Sequence, residues 1–284
     1  MNDRLVWITG AGGLIGNYLS RSATQATPNR PIRALTRQDL DLTEYSAVRQ
    51  LFARENPGLV IHCAALSRSP DCQANPAKAR QLNVDVTANL AELAADIPLF
   101  FFSTDLVFDG RKGNYDETAA VNPLSVYAQT KVAAEQLVLA NPKHTVIRTS
   151  LNGGKSPTGD RGFNEQLRQA WEGGKRMTLF TDEFRCPIAA SLTAQTVWRL
   201  VFADCPGLYH LAGGERMSRW HLGQLLAHRY RTLNPQLVPG SAADYPGAPR
   251  SPDTSLNCSK IENLLSLQLP GLTQWLAANP QEDF

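Results

Sequence analysis

The sequence predicts an α/β fold, a doubly wound parallel sheet with a smaller C-terminal lobe, on three observations. Short apolar runs alternate with segments of helical period as far as residue 150, the pattern of strands joined by helical crossovers. One of these runs, Leu59 to Cys63, is nearly all apolar, as expected of a parallel strand covered on both faces. The first run opens directly into a glycine-spaced turn and then a helix.

In that turn, Leu5 to Ile8 reads as a buried strand, and Leu14, Ile15, Tyr18 and Leu19 follow at helical spacing. Gly10 allows a tight exit from the strand, Gly13 lets backbone approach a pyrophosphate, and Gly16 lets the helix pack closely on the sheet. Free N–H groups and the positive end of the helix dipole then hold phosphates. A glycine triplet alone also describes a flexible turn; strand, triplet and helix in this order favour a nucleotide.

Pro31 to Leu35 is a second strand, ending at Thr36-Arg37. Asp41-Leu42-Thr43 opens a helix carrying Val48, Leu51 and Phe52 and stopped near Asn56-Pro57. After the third strand a longer helix follows Pro76, with Leu82, Val86, Leu90 and Leu93 on one face, and Pro98 ends it. Leu99 to Phe102 is a fourth strand, about Ser125 to Leu139 a helix, and Val146-Ile147 part of a fifth strand. Asn152 to Gly162 reads as a loop, Leu192 to Phe202 as a helix and Leu208 to Leu211 as another strand. From Gly213 short helices alternate with a Pro-rich stretch, Val238 to Pro252. The expected division is a dinucleotide-binding domain over 1–150, rejoined by about 187–212, and a substrate lobe of 151–186 and 213–284. Ligands of such sheets bind beyond the carboxyl ends of the strands.

A chain of 284 residues can bury a full core, and 43% hydrophobic with 19% charged content is ordinary for a globular protein. A net charge of +2 gives no reason to expect a nucleic-acid or membrane surface. Five scattered cysteines without metal-ligand spacing favour reduced thiols, and with no signal-peptide pattern and no spanning run the expectation is a cytoplasmic protein.

Tyr127 and Lys131 stand four apart near the start of a helix, which puts them on one face. An ammonium beside a phenol favours the phenolate and lowers its pKa toward working pH, so the tyrosine can exchange a proton with a substrate oxygen. Alone the pair carries little. Upstream, Ser103-Thr104-Asp105 ends the fourth strand at the ligand-binding edge, where a hydroxyl can bond a carbonyl oxygen or cap nearby backbone.

At this point the chain resembles the extended short-chain dehydrogenase/reductases, and among them the dTDP-4-dehydrorhamnose reductase group. The matching stretches are Thr9 to Gly16, Asp41-Leu42-Thr43, His62-Cys63-Ala64-Ala65, Ser103 to Gly110, Tyr127 to Glu135, Arg148-Thr149-Ser150, Gly207 to Gly213 and Ser255 to Lys260, nearly the whole length. The resemblance implies a Rossmann-type fold with a catalytic triad of Thr104, Tyr127 and Lys131. Lys131 would also bind the nicotinamide ribose, and Tyr127 would protonate a sugar keto oxygen as hydride reaches its carbon. Asp41 and Leu42 would flank the adenine, and Ala64 and Ala65 would line the cofactor path. Asn83 would sit in the helix behind the site, unless it is a helix amide facing solvent.

The second strand ends without an acid before Asp39, so Arg37 favours NADP(H) over NAD(H), the alternative being a solvated arginine. Leu106 and Leu151 replace aromatic residues that the family often has near its substrate, which bears on the usual sugar nucleotide. Arg185 and Arg250 could bind a diphosphate, or equally lie on the surface or bridge the lobes. The expectation is an NADP(H)-dependent reductase of a nucleotide-linked 4-keto-6-deoxy sugar, with a homodimer as an open arrangement. The alternatives are a cofactor-binding regulatory subunit like the methionine adenosyltransferase β subunit, which resembles the same group, or a reductase of another carbonyl compound.

Overall fold

Six strands form one parallel sheet in the order β2-β1-β3-β4-β5-β10. They are β1 (Val6–Thr9), β2 (Ile32–Leu35), β3 (Leu59–His62), β4 (Leu99–Thr104), β5 (Thr145–Thr149) and β10 (Gly207–Leu211). The structure, a computed structural model, describes residues 4–284; residues 1–3, on which the expected absence of a leader partly rests, lie outside the described residues. Among the described residues no helix is long and apolar enough to cross a membrane.

The order of strands reverses between β1 and β3, and there the chain leaves β1 for one face and β3 for the other. That switch is where a ligand crevice opens in a doubly wound sheet. Helices α1 (Leu14–Ala26) and α8 (Ala190–Ala203) cover one face, packed on Val6, Ile8, Ile61, Phe102 and Ile147. The indole of Trp198 on α8 donates to the Leu19 carbonyl at 3.2 Å, fastening the two helices together. Helix α2 (Tyr45–Glu55), α5 (Val86–Leu93) and α6 (Val126–Leu139) cover the other face over Trp7, Val60, Phe101 and Val146. Alternate side chains of each strand thus serve opposite cores, which is why these strands read as apolar throughout. Asn56, in the left-handed region at φ 45°, ends α2 where the Asn-Pro pair predicts a stop.

The helix expected after Pro76 is broken into three pieces. Helix α3 (Ser69–Ala74), absent from the expectation, precedes α4 (Pro76–Arg80), and a π-helical turn, Gln81–Asp85, joins α4 to α5. The wide turn rotates Asn83 inward, so it is buried rather than solvent-facing.

After Ser150 a third core forms around Leu167, Trp171, Leu179, Leu222, Leu226 and Trp275. It is built from α7 (Phe163–Glu172), α9 (Arg219–Arg229), α11 (Leu272–Ala278) and three two-stranded ribbons. These pair β6 (Asn152–Gly153) with β9 (Ile188–Ala189), β7 (Arg176–Phe180) with β12 (Gln236–Gly240), and β8 (Phe184–Arg185) with β11 (Met217–Ser218). Two expectations change here. The loop placed at Asn152 to Gly162 begins as a strand, and the Pro-rich stretch from Val238 also begins within one, tolerable because each strand of a two-stranded ribbon has a free edge. From the segment expected to belong to the lobe, Leu256, Ile261, Leu265 and Leu269 pack with the central sheet, on and around α10 (Ser259–Leu265).

Candidate active site

One cleft of about 1130 Å³ runs from the glycine turn, past the carboxyl ends of β4 and β5, to the face of the lobe. At its sheet end the glycines do separate things. Gly10 has φ +70°, and a Cβ there would stand 2.6 Å from the Ala64 backbone nitrogen, so the turn lies directly against the strand exit of β3. Gly13 is the N-cap residue of α1 and supplies no side-chain cap, leaving the first helical N–H groups open toward the cleft. A Cβ on Gly16 would collide with the Gly10 carbonyl, so only glycine lets α1 start this close to β1. Gly10, Gly13, Leu14, Ile15 and Gly16 all line the cleft, as does Ala65, whereas Ala64 sits behind the Gly10 turn.

At the end of β2, Asp39 is folded back to accept from the Thr36 N–H and hydroxyl, at 2.9 and 2.6 Å. Asp41 accepts from the Thr43 N–H and hydroxyl, which hold its carboxyl below the usual range, and pairs with the largely exposed Arg37 at 3.3 Å. Leu42 packs into the core over α2. None of Arg37, Asp41 and Leu42 lines the cleft itself.

Asn83 also stays out of the cleft and works behind it. Its side chain accepts from the Leu66 N–H at 2.8 Å, and donates to the Leu66 carbonyl at 3.1 Å and to the Thr130 hydroxyl at 3.0 Å. It therefore ties the segment after Ala65 to α6, one residue from Lys131.

Thr104, Tyr127 and Lys131 all line the cleft, with the Thr104 hydroxyl bonded to the Tyr127 phenol. Helix α6 begins at Val126 because the Ser125 hydroxyl caps the Ala128 N–H, and Tyr127 lies in its first turn. The Lys131 ammonium lies over the Phe101 ring, 3.9 Å from its centroid. Burial lowers the Lys131 pKa to about 7, and the nearby Glu135 carboxylate opposes that fall. Tyr127 departs from the expected phenolate. Burial raises its pKa above the ordinary tyrosine range, Asp105 and Cys72 add to the rise, and the Thr104 hydroxyl and Arg185 only oppose it. The phenol therefore keeps its proton, which is the form a proton donor needs.

Leu106 and Leu151 line the cleft beyond the triad, an aliphatic wall rather than an aromatic one. Arg185 and Arg250 reach the cleft, but both are engaged. Arg185 is buried in a bidentate pair with Asp105, and Arg250 bonds Glu183 and lies over the Phe180 and Tyr245 rings. Burial by itself would raise the Glu183 carboxyl, yet Arg219 at 2.9 Å, Arg250 and Arg185 hold it down to about 2. Three guanidiniums against two carboxylates leave one positive charge in excess on the lobe side.

Sequence reasoning missed Asp105, Ser150, Glu183 and Arg219. The first two stand inside motifs quoted above for other residues, and Glu183 stands two before Arg185; nothing local marks Arg219. The buried Ser103 hydroxyl, which has no hydrogen-bond partner among the described residues, also lines the cleft. An open helix terminus, a glycine cradle and an orphaned hydroxyl fit a dinucleotide laid across the switch point toward Tyr127.

A family model described as RmlD substrate binding domain matches residues 4–281. The dTDP-4-dehydrorhamnose reductase of Sinorhizobium fredii is 31% identical over 278 residues, 93% of this chain and 92% of that protein. The methionine adenosyltransferase 2 subunit beta of Bos taurus is 28% identical over 276 residues, 92% of this chain and 83% of that protein. Among solved structures, the dTDP-4-dehydrorhamnose reductase of Bacillus anthracis in complex with NADP superimposes with a TM-score of 0.88 at 23% identity, covering 98% of each chain. That last likeness is one of fold.

Proposed function

The chain belongs to the RmlD substrate binding domain family, and from that premise we propose that it is an NADP(H)-dependent reductase of a nucleotide-linked 4-keto-6-deoxy sugar. In sequence and fold it is dTDP-4-dehydrorhamnose reductase-like. The observation that carries the reading is that Thr104, Tyr127 and Lys131 line the same cleft as the glycine turn.

Each residue has a role that its position supports. The N-terminus of α1 and the Gly10–Gly16 turn hold the pyrophosphate. Arg37, largely exposed and paired with Asp41 at 3.3 Å, takes a 2′-phosphate, in keeping with the turning of Asp39 onto Thr36 at the end of β2. Bound there, the reduced dinucleotide supplies the hydride that reaches the keto carbon. Thr104 donates to the keto oxygen, Tyr127 delivers the proton that converts it to a hydroxyl, and the Lys131 ammonium stabilises the phenolate left behind. Leu106 and Leu151 face the sugar, and Arg250 and Arg219 lie where an anionic substrate group enters.

NADPH oxidation with dTDP-4-dehydrorhamnose tests this. Wild-type turnover that falls at least about 100-fold in Tyr127→Phe is expected. Binding of NADPH without turnover would remove the assigned substrate. A second reading, a regulatory subunit, is favoured by the likeness to the methionine adenosyltransferase subunit and would be detected by co-purification with a partner enzyme.

A further inference from the structure

Beside the Tyr127–Lys131 pair, hydrogen bonding also converges on Asp105, the next residue after Thr104. Its carboxylate is fully buried at the first position of a 3-10 turn, Asp105–Val107. Arg185 grips it through Nε and Nη2, the Ser150 hydroxyl donates at 2.7 Å, the Thr254 hydroxyl at 3.3 Å and the Thr104 hydroxyl at 3.2 Å. These donors come from β4, the exit of β5, β8 of the lobe and the segment before α10. Arg185 itself lines the cleft and is anchored on its far side near Glu183, at 3.9 Å.

We propose that the Asp105–Arg185 ion pair is the positioning device of the proton-donor centre, seating the lobe on the end of β4 and holding the Thr104 hydroxyl and the charge facing Tyr127 in their working arrangement. The inference rests on the reading of Tyr127 as proton donor.

The Thr104 hydroxyl has a single proton and two claimants for it, the Asp105 carboxylate at 3.2 Å and the Tyr127 phenol, while its oxygen accepts from the Leu106 N–H at 3.2 Å. To meet a keto oxygen the hydroxyl must turn away from Asp105. The two-pronged grip of Arg185 on both carboxylate oxygens weakens the claim of Asp105 on that proton, and so frees it for substrate. Charge follows the same geometry. The groups that act on the Tyr127 phenol are Asp105 at the end of β4, the Thr104 hydroxyl, Arg185 on β8 and Cys72 on α3, while Lys131 stands one turn along the same helix with its ammonium over the Phe101 ring. Asp105 disfavours the phenolate and Arg185 offsets it, so the lobe brings to the site the cation that balances a buried carboxylate.

The test compares Asp105→Asn and Arg185→Lys with wild type in kcat and KM across pH, with NADPH affinity by fluorescence. In the reduction Tyr127 must be protonated and Lys131 charged, so rate is lost as pH rises through the joint ionisation of the pair. Asp105→Asn removes the carboxylate and keeps Arg185, and its alkaline limb is expected about one pH unit or more below the wild-type limb. Arg185→Lys keeps the charge without the fork, so its limb should stay in place while KM rises; NADPH affinity should hold in both. A fall in kcat with the Asp105→Asn limb unmoved would overturn the inference, leaving the pair a purely structural tie.

If Asp105→Asn alone does not fold, the double variant Asp105→Asn/Arg185→Met removes both charges. It should keep the wild-type limb at reduced kcat, and a double variant with wild-type kcat would overturn the proposal. Ultraviolet titration of Asp105→Asn against Asp105→Asn/Tyr127→Phe, without any substrate, separates this idea from the assigned reaction. A Tyr127 phenol ionising below its wild-type midpoint supports the positioning role even if no nucleotide sugar is reduced, and an unshifted one sinks it.

Discussion

Burial acts on Tyr127 and Lys131 in opposite senses, favouring the neutral form of each, and the site works from that starting point. A neutral phenol is a loaded acid, and a lysine poised at about 7 gains charge when a phenolate forms beside it. Gly10 illustrates the opposite kind of constraint, one of space. A side chain there meets a positive φ and the Ala64 backbone, neither of which can give way. Gly10→Ala should cost about 1–3 kcal/mol in urea unfolding and weaken NADPH binding at least about 10-fold by fluorescence titration. Unchanged affinity would mean that the glycine turn is not the dinucleotide seat.

The π-helical turn between α4 and α5 matters because of what it points inward. A regular helix through Gln81–Asp85 would present a different face, and Asn83 would lose its three bonds to Leu66 and Thr130. Those bonds keep the cofactor-side segment after Ala65 in register with α6, which carries Tyr127 and Lys131. Asn83→Ala should destabilise the fold by about 1–3 kcal/mol, because it takes from the Leu66 N–H the acceptor that Asn83 supplies. It should also raise the KM for NADPH more than it lowers kcat. A variant with wild-type melting and KM would show that the turn is incidental.

Across the whole molecule, acid is the weak side. His62 between Thr9 and Thr87 is buried with its pKa lowered to about 3, and His210 is lowered to about 4, burial being the main cause in each. Unfolding lets both take up protons near 6.5, so stability falls as pH drops below that value. From pH 7 to pH 5 the two together should lose about 4 kcal/mol, read as a lower urea midpoint. Glu183 extends the loss: its stabilisation is complete above about 4.5 and disappears as pH falls through about 2. A midpoint that does not move between pH 7 and pH 5 would contradict the burial of these histidines.

Much of this was written locally. The strands, the turn at Gly10–Gly16, the Tyr127–Lys131 spacing and the Thr104 edge are each set by a few consecutive residues, through hydrophobic period, glycine geometry and helical spacing, and so were legible in the sequence. Residues far apart in the chain decided the rest. Nothing near Asp105 tells that Arg185, eighty positions on, will pair with it, or that Arg219 and Arg250 will share Glu183. Likewise the lysine–tyrosine spacing alone suggests a phenolate, and desolvation in the cleft, with Asp105 and Cys72 adding to it, reverses that. Spacing along a helix determines which groups meet; the dielectric surroundings and the charges that surround them, which determine their protonation, exist only once the sheet and the lobe have closed on one another.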